Sequence, residues 1–555
     1  MTTSSLRGRA GHVGTNRDNQ KRPHGGVKQA LAALVALALS GCAAVVTRES
    51  FDGVQSLVRA RGETQELSWD RGPSADPPVE RPTHVGPRQE LGVEQAVQLA
   101  LVRNPSLQAE YEELGYAQAD LVQAGLLKNP TLAFSGLAAV GAAASPAYDL
   151  DFTKNLLDLL LRPARQRIAG AQLEATELRV AGEVVSLAAQ VRTAYYTIQG
   201  AEQLVALLRE IVLGSEASAE LAARLEEAGN VSALRLAEER ALLEQARADL
   251  MRAEAETIEP RENLTRLMGL SDEEATQWTI APALPGLPQS DPPVASAIAS
   301  ARENRLELAA ARKEQVALRE ALESARFWRY LGDLDVGAAA HKEQAERYWV
   351  VGPVLSLQLP IFDQKQAELA QLESRLRQSE ARTSSLELDV ASAVRVAHER
   401  LRASRRLADQ YRERLIPLRR PAVALSQQFY NFMLQGAFEL IAAKQAEITS
   451  YRDYVAAVRD YWIAWANLER AVGTRLLGDS PPPDAAAAPL PSANSAGAPD
   501  HSAHGGMSHA GMNHSSREPA TGEPGRVLAA PSARGRTPQP EMPAMGGMDH
   551  HHGGN

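Results

Sequence analysis

Histidine and methionine are sparse over most of this chain and then gather at its end. HSAHGGMSHAGMNH, at 501–514, sets His501, His504, His509 and His514 around Met507 and Met512. MPAMGGMDHHHGGN, at 542–555, adds Met542, Met545, Met548, His550, His551 and His552. The two clusters hold seven of the 12 histidines and five of the 9 methionines, too many to be an even scatter. Thioether sulfur is a soft ligand suited to Cu(I) and Ag(I), and imidazole suits copper, zinc and nickel. Mixed together they favour copper over zinc, and with no cysteine nearby a structural zinc cage is not on offer. From Ser480 the chain turns to Pro, Ala, Gly and Ser, a composition that buries no core. Residues 480–555 are therefore expected to be a disordered tail that holds ions weakly and exchanges them quickly. No cofactor is required elsewhere. His341 and His398 stand apart, with His398 expected on a solvated helix face. Glu226-Glu227 and Glu238-Glu239 read as solvated helix charges, and Trp462 and Trp465 as packing residues. With no catalytic set in sight, an enzyme is not expected.

The other end of the chain says where such ligands would be displayed. Lys21, Arg22 and Lys28 precede an apolar run from Ala30 to Leu39, and Ser40-Gly41-Cys42 follows. A basic flank, a short apolar core and small residues before a cleavage point make a secretory signal peptide, 1–41, too short to span a bilayer comfortably. Leu39-Ser40-Gly41-Cys42 resembles a bacterial lipobox, and Cys42, the one cysteine of the chain, is the expected lipidation site. Ala43 after it favours the outer membrane. No disulfide can form within the chain. The net charge of -9, with no basic domain, gives no sign of a nucleic-acid partner.

Between a linker at 42–87 and the tail, the 555-residue chain repeats itself. Leu187, Val191, Ala194 and Ile198 recur as Val390, Val394, Ala397 and Leu401, an offset of 203 that keeps the 4-3-4 spacing of an apolar helix seam. Asn104 answers Asn304, Gly229 answers Gly436 and Gly269 answers Gly473, so the halves are placed at 88–285 and 290–477. From Ala164 to Ala228 there is no proline, which predicts a helix of roughly 100 Å. Nothing globular needs such a rod. Strand-like stretches precede the long helices: Asn129–Phe134, Tyr148–Thr153, and alternating runs at Leu334–Ala338 and Leu355–Leu359. Apolar and polar residues alternate in them, as in a membrane barrel with a wet lumen or in a half-buried sheet on a soluble domain. About four strands cannot close a membrane barrel alone, so a barrel would need several copies. The fold class is mainly α, internally duplicated, with four β-strands per chain.

Leu91-Gly92-Val93-Glu94-Gln95-Ala96 through Leu101, followed by Asn104-Pro105-Ser106-Leu107, resembles the opening of the TolC-like outer membrane factors. So do Asn129-Pro130-Thr131-Leu132, Gly352-Pro353 through Leu359-Pro360-Ile361-Phe362-Asp363, and Tyr461 to Gly473. The first half departs from the usual strand-to-helix entry, reading Asn155 to Pro163 instead, and Asn304-Arg305 lacks the usual proline. The resemblance covers about residues 88–477. It implies a homotrimer with a twelve-stranded barrel in the outer membrane and an α-helical tunnel in the periplasm. It also implies a periplasmic adaptor and an inner-membrane pump as partners. The adaptor would dock on the helix–helix turns at Gly229, Asn230, Gln435 and Gly436, where glycine suits a left-handed cap. With the tail, this makes the chain an exit channel for copper or silver ions. Export of drugs or proteins by such a channel, and a periplasmic metal-binding lipoprotein that is no channel, stay open as alternatives.

Overall fold

The computed structural model describes residues 48–70, 89–137, 147–343 and 348–476. The signal segment, Cys42 and the tail with its His and Met ligands lie outside the described residues.

Each half begins with a short helix and a second one capped by an asparagine or arginine turn. In the first half α2 (Val93–Arg103) stops at Asn104, whose side chain accepts the Leu107 N–H at 3.1 Å and so starts α3 (Pro105–Gly125). Pro105 sits in the first turn, where its missing N–H costs nothing. Two strands follow, β2 (Thr131–Leu137) and β3 (Ala147–Asn155), preceded in the chain by β1 (Gln89–Leu91). Then comes α4 (Leu157–Glu227), 71 residues long and roughly 105 Å from end to end. It starts earlier than the proline-free stretch suggested and runs through Pro163, near its beginning. Its return path is α5 (Ala233–Glu256) and α6 (Ile258–Met268), then the short α7 (Asp272–Ala275) and β4 (Trp278–Ile280), which pairs in parallel with β1. The second half repeats the plan with α8 (Val294–Asn304), α9 (Leu306–Trp328), β5 (Leu334–Glu343), β6 (Val350–Leu357) and α10 (Gln366–Asp409). A π-helical turn (Gln410–Leu415), α11 (Ile416–Asn431) and α12 (Ala437–Val472) complete it.

The duplicated seam is the core. Leu187, Val191, Ala194 and Ile198 are buried, and so are Val390, Val394, Ala397 and Leu401. The paired landmarks also meet as pairs. Gly269 ends α6 at φ 65° against the Arg103 carbonyl, and Gly473 ends α12 at φ 79° against the Asn304 carbonyl. A Cβ at Gly269 would lie 2.5 Å from that oxygen, so the position admits glycine alone. Trp462 packs as expected: it is buried, stacks on Tyr196 with centroids 5.3 Å apart, and donates its indole N–H to the Pro285 carbonyl.

Four expectations need correction. The segment read as a linker is packed onto the body over residues 48–70: α1 (Arg48–Arg59) buries Val54 and Val58, and Phe51 meets Tyr111 edge to face at 5.3 Å. His398 is buried rather than solvated, with Nε2 3.1 Å from the Pro292 carbonyl oxygen. Glu239 is buried too, because Ser218 Oγ and Arg235 supply it with two bonds of 2.7 Å. Finally, Gly436 is not the counterpart of Gly229. Gly229 takes φ 73° at the first turn, but in the second turn Met433 is left-handed at φ 56°, while Gly436 precedes α12 in extended conformation at φ -79°.

Candidate channel-forming surfaces

Strands β2, β3, β5 and β6 form one antiparallel sheet in that order. Its register sorts the side chains. Leu132 faces Phe152, Phe134 faces Leu150, and Val336 faces Leu355, all on one face. Apart from the half-buried Val336, these side chains stay exposed: Phe134 is 68% and Leu355 71% accessible. An apolar face this bare has no covering element among the described residues. Tyr148, Lys342 and Trp349 stand toward the loop end of the same sheet, with the Lys342 ammonium 5.7 Å from the Trp349 ring centre. The opposite face is polar. Asp149 takes bonds from Ser135 Oγ at 3.2 Å and from His341 Nδ1 at 2.5 Å, and Asn155 donates to Asp333 and Asp335 at 3.2 and 3.1 Å. Four strands are found where expected, but the first runs from Thr131 to Leu137 rather than Asn129 to Phe134, and the last ends at Leu357 rather than Leu359. The outer edges of the sheet, β2 and β6, pair with no strand among the described residues. No helix among them is long and apolar enough to cross a membrane.

At the far ends of the long helices lie the two turns expected to dock a partner. In the first, the Asn230 N–H bonds the Leu225 carbonyl at 2.8 Å and the Gly229 N–H bonds Glu226 at 2.8 Å, the crossed pair of a left-handed cap. Ser232 then opens α5 by accepting the Arg235 N–H at 3.2 Å. In the second, the Leu434 N–H bonds Phe429 and the Met433 N–H bonds Tyr430, the same cap with methionine where glycine would be easier. Gly229, Asn230 and Gly436 are exposed and Gln435 is half-buried. The sequence reading missed the more conspicuous feature: Phe432, Met433 and Leu434 are at least three-quarters exposed, so this turn presents an apolar tip.

The sequence reading also missed a charge network that ties the folded segment 48–70 to both halves. Glu63 and Arg192 form a doubly hydrogen-bonded pair, both bonds 2.6 Å, with side chains only 3% and 4% exposed. Glu94 joins Arg192 at 3.3 Å and Arg475 at 2.9 Å. The Arg61 carbonyl accepts the Arg475 N–H at 3.0 Å, and the Arg61 side chain reaches the Asn304 carbonyl at 2.9 Å. Burial disfavours the charge on Glu94, but Arg192 and Arg475 outweigh it and hold its carboxyl below the ordinary range. Glu469, deeper in the network, is pushed up by burial in spite of Arg192. The signal was present in the sequence: Phe51, Val54 and Val58 keep helical spacing, which a linker would not need. Among the described residues no group of three or more His, Cys, Asp or Glu side chains could hold a metal ion.

Residues 96–270 match the model of the outer membrane efflux protein family. No curated protein matches the chain. Solved structures share its fold. A membrane protein from Pseudomonas aeruginosa superposes with a TM-score of 0.58 at 22% identity, over 72% of this chain and 99% of that one. CusC, crystallised in a study of conformational changes accompanying folding and transmembrane channel formation, gives 0.58 at 15% identity over 72% and 99%. The Campylobacter jejuni CmeC outer membrane channel gives 0.59 at 13% identity over 75% and 96%. The bare apolar sheet, the 71-residue helix and the duplicated bundle are thus the parts of a known design: residues 96–270 match the outer membrane efflux protein family, and the chain has the fold of the solved structures of CusC and of the CmeC outer membrane channel.

Proposed function

We propose that this protein is the outer-membrane exit duct of a tripartite efflux system and that its cargo is copper or silver ions. The observation that carries the channel is the sheet. One face is apolar and exposed, the other is lined by Asp149, Asp151, Asp335 and His341, and both edges are unpaired among the described residues. Four strands are too few to close a barrel, and unpaired edges demand a neighbour. Three copies, β6 of one beside β2 of the next, give twelve strands with lipid outside and water within. Tyr148, Tyr348 and Trp349 would then stand in the aromatic girdle at the barrel's outer rim. The long helices carry the duct into the periplasm, and lipid on Cys42 adds a second hold on the membrane.

The turns at Gly229, Asn230, Gln435 and Gly436 meet the periplasmic adaptor, with the apolar tip Phe432–Leu434 as its firmest contact. An inner-membrane pump supplies the drive, since a duct of helices and strands has no means of its own. The tail supports the cargo assignment through ligand chemistry: His501, His504, Met507, His509, Met512 and His514, with Met542 to His552, would bind soft ions.

A strain lacking the protein is expected to become sensitive to copper or silver salts and to keep its tolerance of dyes and detergents. The reverse pattern would retain the channel and overturn the cargo. Removing residues 480–555 should leave the trimer intact and lower copper tolerance. Unchanged tolerance would take the tail out of the function.

A further inference from the structure

On the side of the helices, the apolar face of the sheet ends in charge. Along β3, Leu150 and Phe152 point to that face, and the next residue on it is Lys154. The Lys154 ammonium donates to the Lys128 carbonyl, just ahead of β2. Lys128 in turn gives its N–H to Asp158 Oδ2 at 2.9 Å, and Arg165 Nη1 bonds Asp158 Oδ1 at 2.7 Å. Asp158 is buried, so it works as a pin that ties the Lys128 backbone and the Arg165 guanidinium to one point. A groove of about 380 Å³ opens there between the end of α3 and the start of α4. Gln123, Leu126, Lys128, Arg165 and Gln172 stand in its lining, and Asp120 is its one carboxylate.

Two kinds of side chain surround this groove. Lys154, and Arg162 one turn before Arg165, add cations to Lys128 and Arg165. Among the described residues only Arg165 of these four is ion-paired, to Asp158. Leu126, Leu127, Leu156, Leu159 and Leu160 are exposed where the chain passes from α3 into the sheet and back into α4. A free phosphate would use the cations and leave these leucines in water. A lipid uses both: an anionic headgroup meets the cations, and its chains cover the leucines. Lysine suits the boundary, since its stem lies along apolar surface while its ammonium reaches the polar layer.

We propose that the groove binds an anionic phospholipid. Lys128, Lys154 and Arg165 hold the phosphate, and the acyl chains run over the exposed leucines onto the apolar face of β2 and β3. The bilayer then meets the protein at a fixed height, with Lys154 at the level of the phosphates. The site rests on the lipid-facing sheet proposed above and adds to it a lipid class and a place.

Native mass spectrometry of the full chain in mild detergent, mixed with phosphatidylglycerol or phosphatidylcholine, counts the lipids that stay bound. Phosphatidylglycerol should be retained, one per chain, in preference to phosphatidylcholine. A basic side chain at an anionic lipid surface is worth about fivefold in affinity, so Lys128→Gln with Lys154→Gln should weaken retention roughly 25-fold. Lys342→Gln, at the loop end of the same sheet, should leave it unchanged. Arg165 is left in place, because its loss would strand the buried Asp158. Leu159→Ser with Leu160→Ser should also weaken the lipid, and excess inorganic phosphate should not displace it. Displacement by phosphate, or a leucine variant that binds as the native chain does, makes this a site for a free anion and overturns the lipid. Equal retention of the two lipids, or a double lysine variant as good as native, overturns the site. Insertion into phosphatidylcholine vesicles checks the barrel separately. A chain that inserts and shows no preference overturns the site alone, and one that does not insert overturns both.

Discussion

Replacing Glu63 by glutamine tests whether the segment 48–70 is held by charge or only by packing. The shape is kept and the charge is lost. Arg192 then stays 4% exposed with its guanidinium facing an amide, and Glu94 at 3.3 Å is its nearest remaining carboxylate. Removing one partner of a buried ion pair costs about 3–5 kcal/mol, chiefly because the other charge is stranded. Glu94 covers part of that loss, which puts the cost at the low end, about 3 kcal/mol. At about 1.4 kcal/mol per decade this is a roughly 150-fold rise in local opening. Global unfolding of a chain this large is seldom reversible, so local exchange is the better assay. Amide hydrogens of residues 54–67 should exchange about two decades faster in Glu63→Gln, while those of the α4 seam stay slow. Glu63→Met combined with Arg192→Met should recover most of the loss, since neither member of the buried pair is left charged and Glu94 keeps Arg475 at 2.9 Å. Exchange within threefold of the native rate would refute the account. A double variant as fast as the single would move the cost from stranded charge to lost fit.

Glu274 offers a pH test. Arg103 grips its carboxylate with bonds of 2.9 and 2.7 Å and holds the carboxyl down to about 2, against an ordinary value of 4.5. A carboxyl lowered by folding stabilises the folded state fully above the unfolded value and loses that contribution as pH falls through the folded one. Glu274→Gln should therefore melt lower than the native chain at neutral pH, and the gap should close between pH 4.5 and 2; a gap constant over that range would sink the ionic account. On the sheet, Leu132→Arg should cost about 2–4 kcal/mol if that face meets lipid, whereas Ser135→Arg, beside Asp149 on the other face, should be tolerated. The yield of trimer in outer-membrane fractions reads both, and equal losses would mean that the faces are assigned wrongly.

Much of this was legible because periodicity survives duplication. The 4-3-4 seam, the long helix and the alternating strands are patterns of single positions, and burial follows them residue by residue. What failed to show in sequence depends on partners distant along the chain. His398 and Glu239 look like surface residues until Pro292 and Ser218 are brought to them. Glu63 looks like one more linker charge until Arg192, 129 positions away, is placed opposite. The pairing of Gly229 with Gly436 went wrong for another reason: it matched residue type, whereas the turn is set by backbone conformation, which Met433 adopts at a cost.

That mispairing and the π-turn have one cause. Above the turn the halves correspond at an offset of 203, as Val205 to Ala408, both buried. Below it the offset is 204: Val212 to Ile416 and Ala222 to Ser426, all buried, and Gly229 to Met433, both left-handed. One residue has been added to the second half between Ala408 and Ile416, and Gln410–Leu415 is where it is absorbed. An extra residue in an unbroken α-helix would rotate everything below it by about 100° and turn the buried stripe outward. A π-turn takes up the residue and keeps the stripe in place, and none of its own residues is buried. Removing Glu413 should then be harmless, provided that Pro417, whose ring would clash in a plain α-helix, becomes alanine. The chain with Glu413 deleted and Pro417→Ala should fold to native yield, with the Ile416 and Ser426 stripe still protected from exchange. Deleting Glu210, the counterpart of Glu413 in the unbroken α4, has no slack to take up; it should rotate Val212 and Ala222 out of the core and abolish folding to native yield. If the two deletions are equally damaging, the π-turn is not an absorbed insertion, and the change of offset would need another origin.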